Sequence, residues 1–153
     1  DCAEQRESIG NRRPIEAVWY TGRMMGETLA QTICGNRIEY KPGHWFNSAK
    51  FFDIEYQTYG WVFGERGRPT YDKNSNHFLG INTFGIRMRH EIFDKWLTEK
   101  RDVNYVLEYL ADANFDPEFY ALHEKEIITK FNQENGTSIQ SKKKSWKRIF
   151  TKT

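Results

Sequence analysis

Several features that mark well-known protein classes are missing from this chain of 153 residues. No apolar run approaches the roughly twenty residues of a membrane-spanning helix, and the first residues lack the pattern of a signal peptide. The two cysteines, Cys2 and Cys34, are too few for a disulfide scaffold. Neither belongs to a CxxC pair or to a His/Cys cluster with zinc spacing. We therefore expect two reduced thiols in a cytoplasmic protein.

The motifs of the common catalytic and nucleotide-binding classes are also missing. The sequence contains no GxSxG, no Walker loop and no GxGxxG. Its four histidines, at positions 44, 77, 90 and 123, form no HExxH and have no third ligand at useful spacing. The glycines between Gly60 and Gly67 are typical of a hairpin rather than of a phosphate loop. From the residues alone we expect no catalytic residue and no metal site.

Charge is distributed unevenly along the chain. The formal net charge is +2, but residues 137–153 hold six basic residues and no acidic one, which leaves the rest at −4. A mildly acidic body does not have the basic face of a nucleic-acid-binding protein, so we expect no nucleic-acid partner. The basic segment is expected to be solvated. The alternative is a weak contact with an anionic membrane, in which Trp146, Ile149 and Phe150 form a short apolar stripe between lysines.

Aromatic side chains, by contrast, are abundant. The chain has 11 Phe, 8 Tyr and 5 Trp, enough to form a substantial core. Nine of these residues fall between Tyr40 and Phe63. This concentration favours a core or an interface over a surface that stacks nucleobases.

The N-terminal part of the chain predicts one helix, from Ile15 to Cys34. Pro14 suits a first helical turn, and Gly35-Asn36 supplies a stop. The helix has apolar residues at steps of three and four, with one longer gap: Ile15, Val18, Met25, Leu29 and Ile33. Gly22, Gly26 and Ala30 form a stripe of small residues. Because each helical glycine costs about 1 kcal/mol against alanine, we expect another backbone or a ligand to approach this stripe closely.

The remaining pattern predicts strands followed by helices, and hence an α+β fold. Alternation over 52–56, the run 61–63, and the segments 70–71 and 77–83 indicate three to five strands in an antiparallel meander, because the connections are too short for parallel crossovers. From Gly85 onward two or three helices are expected on one side of the sheet. Asp102 is predicted to cap a helix over 103–113. Asp116-Pro117-Glu118 is predicted to start another, which ends at Gly136.

The opening residues resemble a known family. Asp1-Cys2-Ala3-Glu4 is similar to the end of the Gly-Asp motif that closes the FAD-binding domain of pyridine nucleotide-disulfide oxidoreductases. The following loop, Pro14 and the small-residue helix are similar to what comes next in that family. Residues 46–56 with Gly60 resemble the strand pair of its C-terminal interface domain. The chain has no His-Pro motif, which favours the NADH oxidase, ferredoxin reductase or NADH dehydrogenase branches over the dithiol reductases.

This resemblance implies a cofactor and a set of contacts. Asp1 would accept hydrogen bonds from the ribityl chain of FAD, and backbone groups around Glu16, Ala17 and Val18 would face the flavin edge. Trp19 and Tyr20 would pack near the flavin ring, with a plain core role for both as the alternative. NAD(P)H would be the co-substrate, and the electron acceptor is not specified.

The resemblance also implies a division of the chain. Residues 1–36 would end the FAD-binding domain, 37–136 would form the interface domain, and 137–153 the basic tail. Because the chain begins at Asp1, we expect a fragment or a processed chain that is inactive alone and works with N-terminal FAD and NAD(P)H domains, as a homodimer. The alternative from another class is a non-catalytic module for protein interaction or dimerisation, attached to a membrane surface through its basic tail.

Overall fold

The fold is α+β, as the sequence pattern predicts. The computed structural model describes residues 3–9, 12–62, 69–115 and 121–142. In these ranges an N-terminal helix precedes a four-stranded antiparallel sheet, and further helices follow it. The elements in chain order are α1 (Trp19–Ile33), β1 (Phe46–Phe51), β2 (Ile54–Gly60), β3 (Pro69–Tyr71), β4 (Phe78–Phe84), α2 (His90–Thr98), α3 (Val103–Glu108), a 3₁₀ helix (Leu110–Ala113) and α4 (Glu124–Asn135).

The sheet has the strand order β1-β2-β4-β3, with every neighbouring pair antiparallel. The order departs from the predicted meander, because β4 lies between β2 and β3 and these two strands are not neighbours. The two edges are β1 and β3. In the β1–β2 hairpin Phe51 pairs with Ile54 across a two-residue turn. The strand predicted over 52–56 is wrong at its start, because Phe52 lies in that turn with φ 52° and its side chain is 97% exposed.

The core lies between one face of the sheet and the helices that follow it. Tyr59 of β2 stacks on Phe93 of α2 with ring centroids 5.0 Å apart, and Phe93 meets Trp96 edge to face at 5.4 Å. The Tyr59 hydroxyl donates to the carbonyl of Met88 at 2.9 Å. Cross-strand neighbours share a face, so Ile81, which is paired with Tyr59, joins the same core.

Several helix boundaries follow local rules and others do not. The Asp102 carboxylate accepts from the Tyr105 N–H at 2.9 Å and caps α3, and Gly136 ends α4 in the left-handed conformation with φ 63°. Helix α1 begins at Trp19, four residues later than predicted. The predicted start at 116–118 lies outside the described residues. Residues 61 and 62 are not in a strand, and Phe63 lies outside the described ranges.

Within the described residues, no helix has both the length and the apolar character needed to cross a bilayer.

Candidate functional site at the start of the first helix

An ion pair shapes the chain just before α1. The Arg12 guanidinium donates from Nε to Glu16 Oε1 at 2.7 Å and from Nη2 to Oε2 at 2.8 Å. Both side chains are buried, with 7% and 3% of their surface exposed. Arg12 also donates to the Gly43 carbonyl at 3.2 Å and lies over the Trp45 ring at 5.2 Å. The pair therefore ties the loop before α1 to the segment that leads into β1.

Glu16 was predicted as a cofactor-binding residue, and the ion pair limits what it can do. Both carboxylate oxygens accept from Arg12 and the side chain is only 3% exposed. The backbone of Glu16, which the resemblance places at the flavin edge, is therefore the better placed part of this residue to meet a ligand. Arg12 was missed by the sequence analysis. Its spacing of four from Glu16 is that of a helical ion pair, but its contacts with residues 43 and 45 are long-range and leave no local signal.

Tyr40 lies close enough to this ion pair for both charges to affect the pKa of its hydroxyl. Burial raises the pKa of the Tyr40 hydroxyl, the positive charge of Arg12 lowers it, and the negative charge of Glu16 raises it. The buried hydroxyl oxygen makes no hydrogen bond to the described residues. The buried charges before α1 are therefore next to an unsatisfied phenol.

The N-terminus of α1 is open. Val18 occupies the N-cap in an extended conformation, its side chain makes no capping bond, and no acidic residue lies in the first turn. The first intrahelical bond runs from the Gly22 N–H to the Val18 carbonyl at 3.0 Å. Since the first N–H groups of a helix have no partner inside it and carry the positive end of its dipole, this end favours an electron-rich group.

A cavity of about 540 Å³ adjoins this helix end. The loop before α1 forms one wall, with Glu16, Ala17 and Val18 among its residues. Three of the predicted site residues, which are consecutive in the chain, thus line one wall of the cavity. The opposite wall comes from the sheet and its flanks, and sequence reasoning missed it: Trp45, Thr58, Gly60, Trp61 and Val62.

The fourth predicted site residue in the described ranges, Trp19, is not a core residue. Its side chain is 68% exposed and meets the Tyr20 ring edge to face at 5.4 Å. Tyr20 instead holds α1 on the sheet, with its ring 5.1 Å from that of Phe46 and its hydroxyl 3.1 Å from Ser48 Oγ. Asp1, the predicted ribityl contact, lies outside the described residues.

Most of α1 is uncovered by the described residues. Thr21 is the only buried residue of the helix among them, whereas the apolar side chains of Trp19, Leu29 and Ile33 are 58–76% exposed. A Cβ added at Gly22 or at Gly26 would meet no described atom within 4 Å. The close approach expected at the small-residue stripe is therefore absent from the described part of the chain.

Replacing Gly22 with alanine is expected to stabilise the 153-residue chain by about 1 kcal/mol, because a Cβ fits there and glycine is the poorer helix former. Urea unfolding of the wild type and of Gly22→Ala would measure the difference. Gly26→Ala, on the same stripe, should give a similar gain. A loss of stability in both variants would mean that the stripe is already packed within this chain.

The cavity has features that a flat, electron-rich ring, such as the pyrimidine end of a flavin, would need. Its lining reaches the uncapped end of α1 at the N-cap Val18, Trp45 and Trp61 offer aromatic walls, and the Glu16 carboxylate is already paired with Arg12. Such an arrangement can stabilise negative charge on a bound ring through N–H groups fixed in advance. This arrangement is better suited to binding a negatively charged group than to acid–base catalysis.

Comparison with known proteins gives no identification, since no family model, no curated protein and no solved structure matches this chain. In the described ranges, no group of three or more His, Cys, Asp or Glu side chains could hold a metal ion. The one cysteine described, Cys34, is exposed and free.

Proposed function

We propose that this chain is the C-terminal part of an FAD-dependent NAD(P)H oxidoreductase, in which it completes the flavin site and forms an interface. The observation that carries the proposal is the uncapped start of α1 beside a cavity with aromatic walls. The resemblance of the opening residues to the oxidoreductase family also supports the proposal. In this proposal the protein is cytoplasmic.

The chain's own role at the flavin is to bind and orient it. When bound, FAD supplies the chemistry that carries electrons from NAD(P)H to an acceptor. The N–H groups at the start of α1 would stabilise negative charge on the reduced ring, with the backbone of Ala17 and Val18 at its edge. Asp1 would hold the ribityl chain. The Arg12–Glu16 pair would hold the loop before α1, and with it Ala17 and Val18, in position.

The uncovered surface of α1 is consistent with a second, larger partner. Exposed Leu29 and Ile33, and glycines with open space beside them, are expected where another element packs closely. We propose that this element belongs to the FAD-binding domain of the same chain and that residues 1–36 complete that domain. Gly22→Ala, which stabilises this chain alone, should then weaken the assembled protein.

A surface on the hairpin favours the alternative function, a non-catalytic interaction module. Phe51, Phe52 and Ile54 are 60–97% exposed at the β1–β2 turn. The Phe51 ring stacks on Tyr56 at 6.2 Å, and Tyr56 on Phe84 at 6.1 Å. An exposed aromatic row of this kind suits a protein interface. It also suits the homodimer of the first proposal, so this surface alone does not separate the two functions.

The experiment that separates them is purification of the natural protein that contains this sequence, followed by absorption spectroscopy. The oxidoreductase proposal expects flavin absorption bands that bleach on addition of NADH or NADPH, and FAD in the supernatant after denaturation. The 153-residue chain alone should bind FAD weakly or not at all. A natural protein without flavin would contradict the proposal and leave the interaction module.

Val18→Asp should affect stability and flavin in opposite directions. An aspartate at the N-cap accepts from the first-turn N–H groups, so the 153-residue chain should gain about 1 kcal/mol in its free energy of unfolding. The same carboxylate occupies the helix end and repels negative charge on the reduced flavin, so the natural protein should have a lower flavin reduction potential. Urea unfolding and a spectroscopic redox titration would measure the two effects.

Val18→Asn is the matched control. It caps the helix without adding a charge, so it should stabilise the chain to a similar extent and lower the potential less. Equal potentials in the wild type and in Val18→Asp would show that this helix end does not face the flavin, even if flavin is present.

A further inference from the structure

A second cavity, of about 270 Å³, lies between the β1–β2 pair and α2. Aromatic side chains of Trp45 and Phe46 form part of its wall. Its lining includes the ammonium of Lys41, which is 3.2 Å from Glu39 Oε2, and four further polar side chains, two imidazoles and two carboxylates: His44, His90, Glu91 and Asp94. The function proposed above uses none of these four side chains.

His44 is held by a carboxylate that is distant in sequence. Its Nδ1 lies 2.9 Å from Asp94 Oδ1, and the two residues are 50 positions apart. Because an ionised carboxylate can only accept, the proton of this bond belongs to Nδ1. In the neutral imidazole Nε2 is then a hydrogen-bond acceptor.

His90 is held mainly by its neighbouring rings. It stacks on Phe46 with centroids 5.2 Å apart and an interplanar angle of 19°, and it lies parallel to Tyr59 at 6.5 Å. Its Nδ1 is 3.6 Å from Glu91 Oε2. The two imidazoles are therefore oriented independently, one by a hydrogen bond to a carboxylate and the other by stacking.

We propose that this cavity binds a neutral aromatic compound that carries a hydroxyl group. Indole and phenyl walls favour a flat ring. The carboxylates of Glu91 and Asp94 accept, as does Nε2 of His44 in the neutral imidazole, whereas the one ammonium in the lining, that of Lys41, is paired with Glu39. These groups favour a ligand that donates. The carboxylates also disfavour an anion. The proposal does not depend on the flavin.

The test uses 2-naphthol as the probe and its methyl ether, 2-methoxynaphthalene, as the control ligand that cannot donate. Imidazole ¹⁵N NMR of the 153-residue chain at pH 7.5 should show saturable shifts of the His44 and His90 signals with the naphthol. His123 provides an internal control, because its Nδ1 is also near a carboxylate, 3.5 Å from Glu126, but it does not line this cavity.

His44→Phe keeps a ring in place but removes the acceptor, and it should weaken 2-naphthol binding about fivefold, as loss of one hydrogen bond predicts. Asp94→Ala removes the oxygen that accepts from His44 Nδ1 and should weaken binding to a lesser degree, because it releases the orientation of His44. His123→Phe should bind like the wild type. Far-UV circular dichroism would confirm that each variant is folded.

Three results would overturn the proposal: no shift of His44 or His90 at saturating naphthol, equal binding of the methyl ether, or an equal shift of His123. Because the assay contains no flavin, its outcome is separate from that of the flavin experiments.

Discussion

Arg12→Met is expected to destabilise the 153-residue chain by about 3 kcal/mol or more, because it leaves the Glu16 carboxylate buried without its partner. The Glu16 side chain is 3% exposed and receives both of its hydrogen bonds from Arg12. Methionine is also unbranched and keeps an apolar side chain at this position, but it lacks the guanidinium that lies over Trp45 and donates to the Gly43 carbonyl. Urea unfolding of the purified variants would measure the loss, and the double variant described below separates the part due to the unpaired charge.

The chain contains a matched control for this experiment. Arg23 and Glu27 have the same spacing of four and nearly the same Nε–Oε1 distance, 2.8 Å, but their side chains are 61% and 62% exposed. Because water screens an exposed pair, Arg23→Met should change the free energy of unfolding by at most about 0.5 kcal/mol.

A second substitution identifies the origin of the loss. Glu16→Gln placed in the Arg12→Met background removes the uncompensated charge, so it should recover part of the stability. Similar losses from Arg12→Met and Arg23→Met would show that burial of the first pair contributes nothing. The loop before α1 would then be held by its other contacts.

The parts of the fold that the sequence predicted are those with local causes. The Asp102 cap and the Gly136 stop each depend on a few adjacent residues. Antiparallel pairing of β1 with β2 and of β3 with β4 follows from the short connections between them. The position of β4 between β2 and β3 does not, because β2 and β3 run parallel on either side of it.

The β1–β2 turn was missed because Phe52 adopts a positive φ that glycine or asparagine usually supplies. A strand at positions 54 to 56 was predicted, but its inward face was predicted wrongly. Ile54 is 60% exposed, whereas the core residue Tyr59 lies on the opposite face of β2, which it shares with Glu55.

The candidate site was predicted only on its helical side. Ala17 and Val18 precede a helix whose start could be read approximately from Pro14 and the apolar pattern. The facing residues, Trp45 and Trp61, reach the same cavity through the strands that they flank. That proximity depends on the strand register and on the Arg12 bond to the Gly43 carbonyl, across 31 positions. Neither leaves a trace in local sequence.

Gly60→Ala is expected to cost about 3 kcal/mol of stability, through two effects that add. Gly60 has φ 69°, which is unfavourable for any residue with a Cβ. The added Cβ would also press on the carbonyl oxygen of Leu79 and lie 2.9 Å from Leu97 Cδ1. That carbonyl cannot easily move away, because it accepts from the Trp61 N–H at 2.8 Å. Overpacking against fixed backbone is costly.

Gly85→Ala separates the two effects. Gly85 has nearly the same φ, 68°, but a Cβ there would meet no described atom within 4 Å. Gly85→Ala should therefore cost only the conformational part, about 1 to 2 kcal/mol.

Gly60 lies opposite Gly80 in the β2–β4 register and lines both the cavity at the start of α1 and the cavity at His44. If urea unfolding gives equal losses for the two variants, the close contact with Leu79 is relieved at no cost. A larger loss at Gly60 would show that β2 and β4 can approach closely at this point, between the two cavities, only because Gly60 has no side chain.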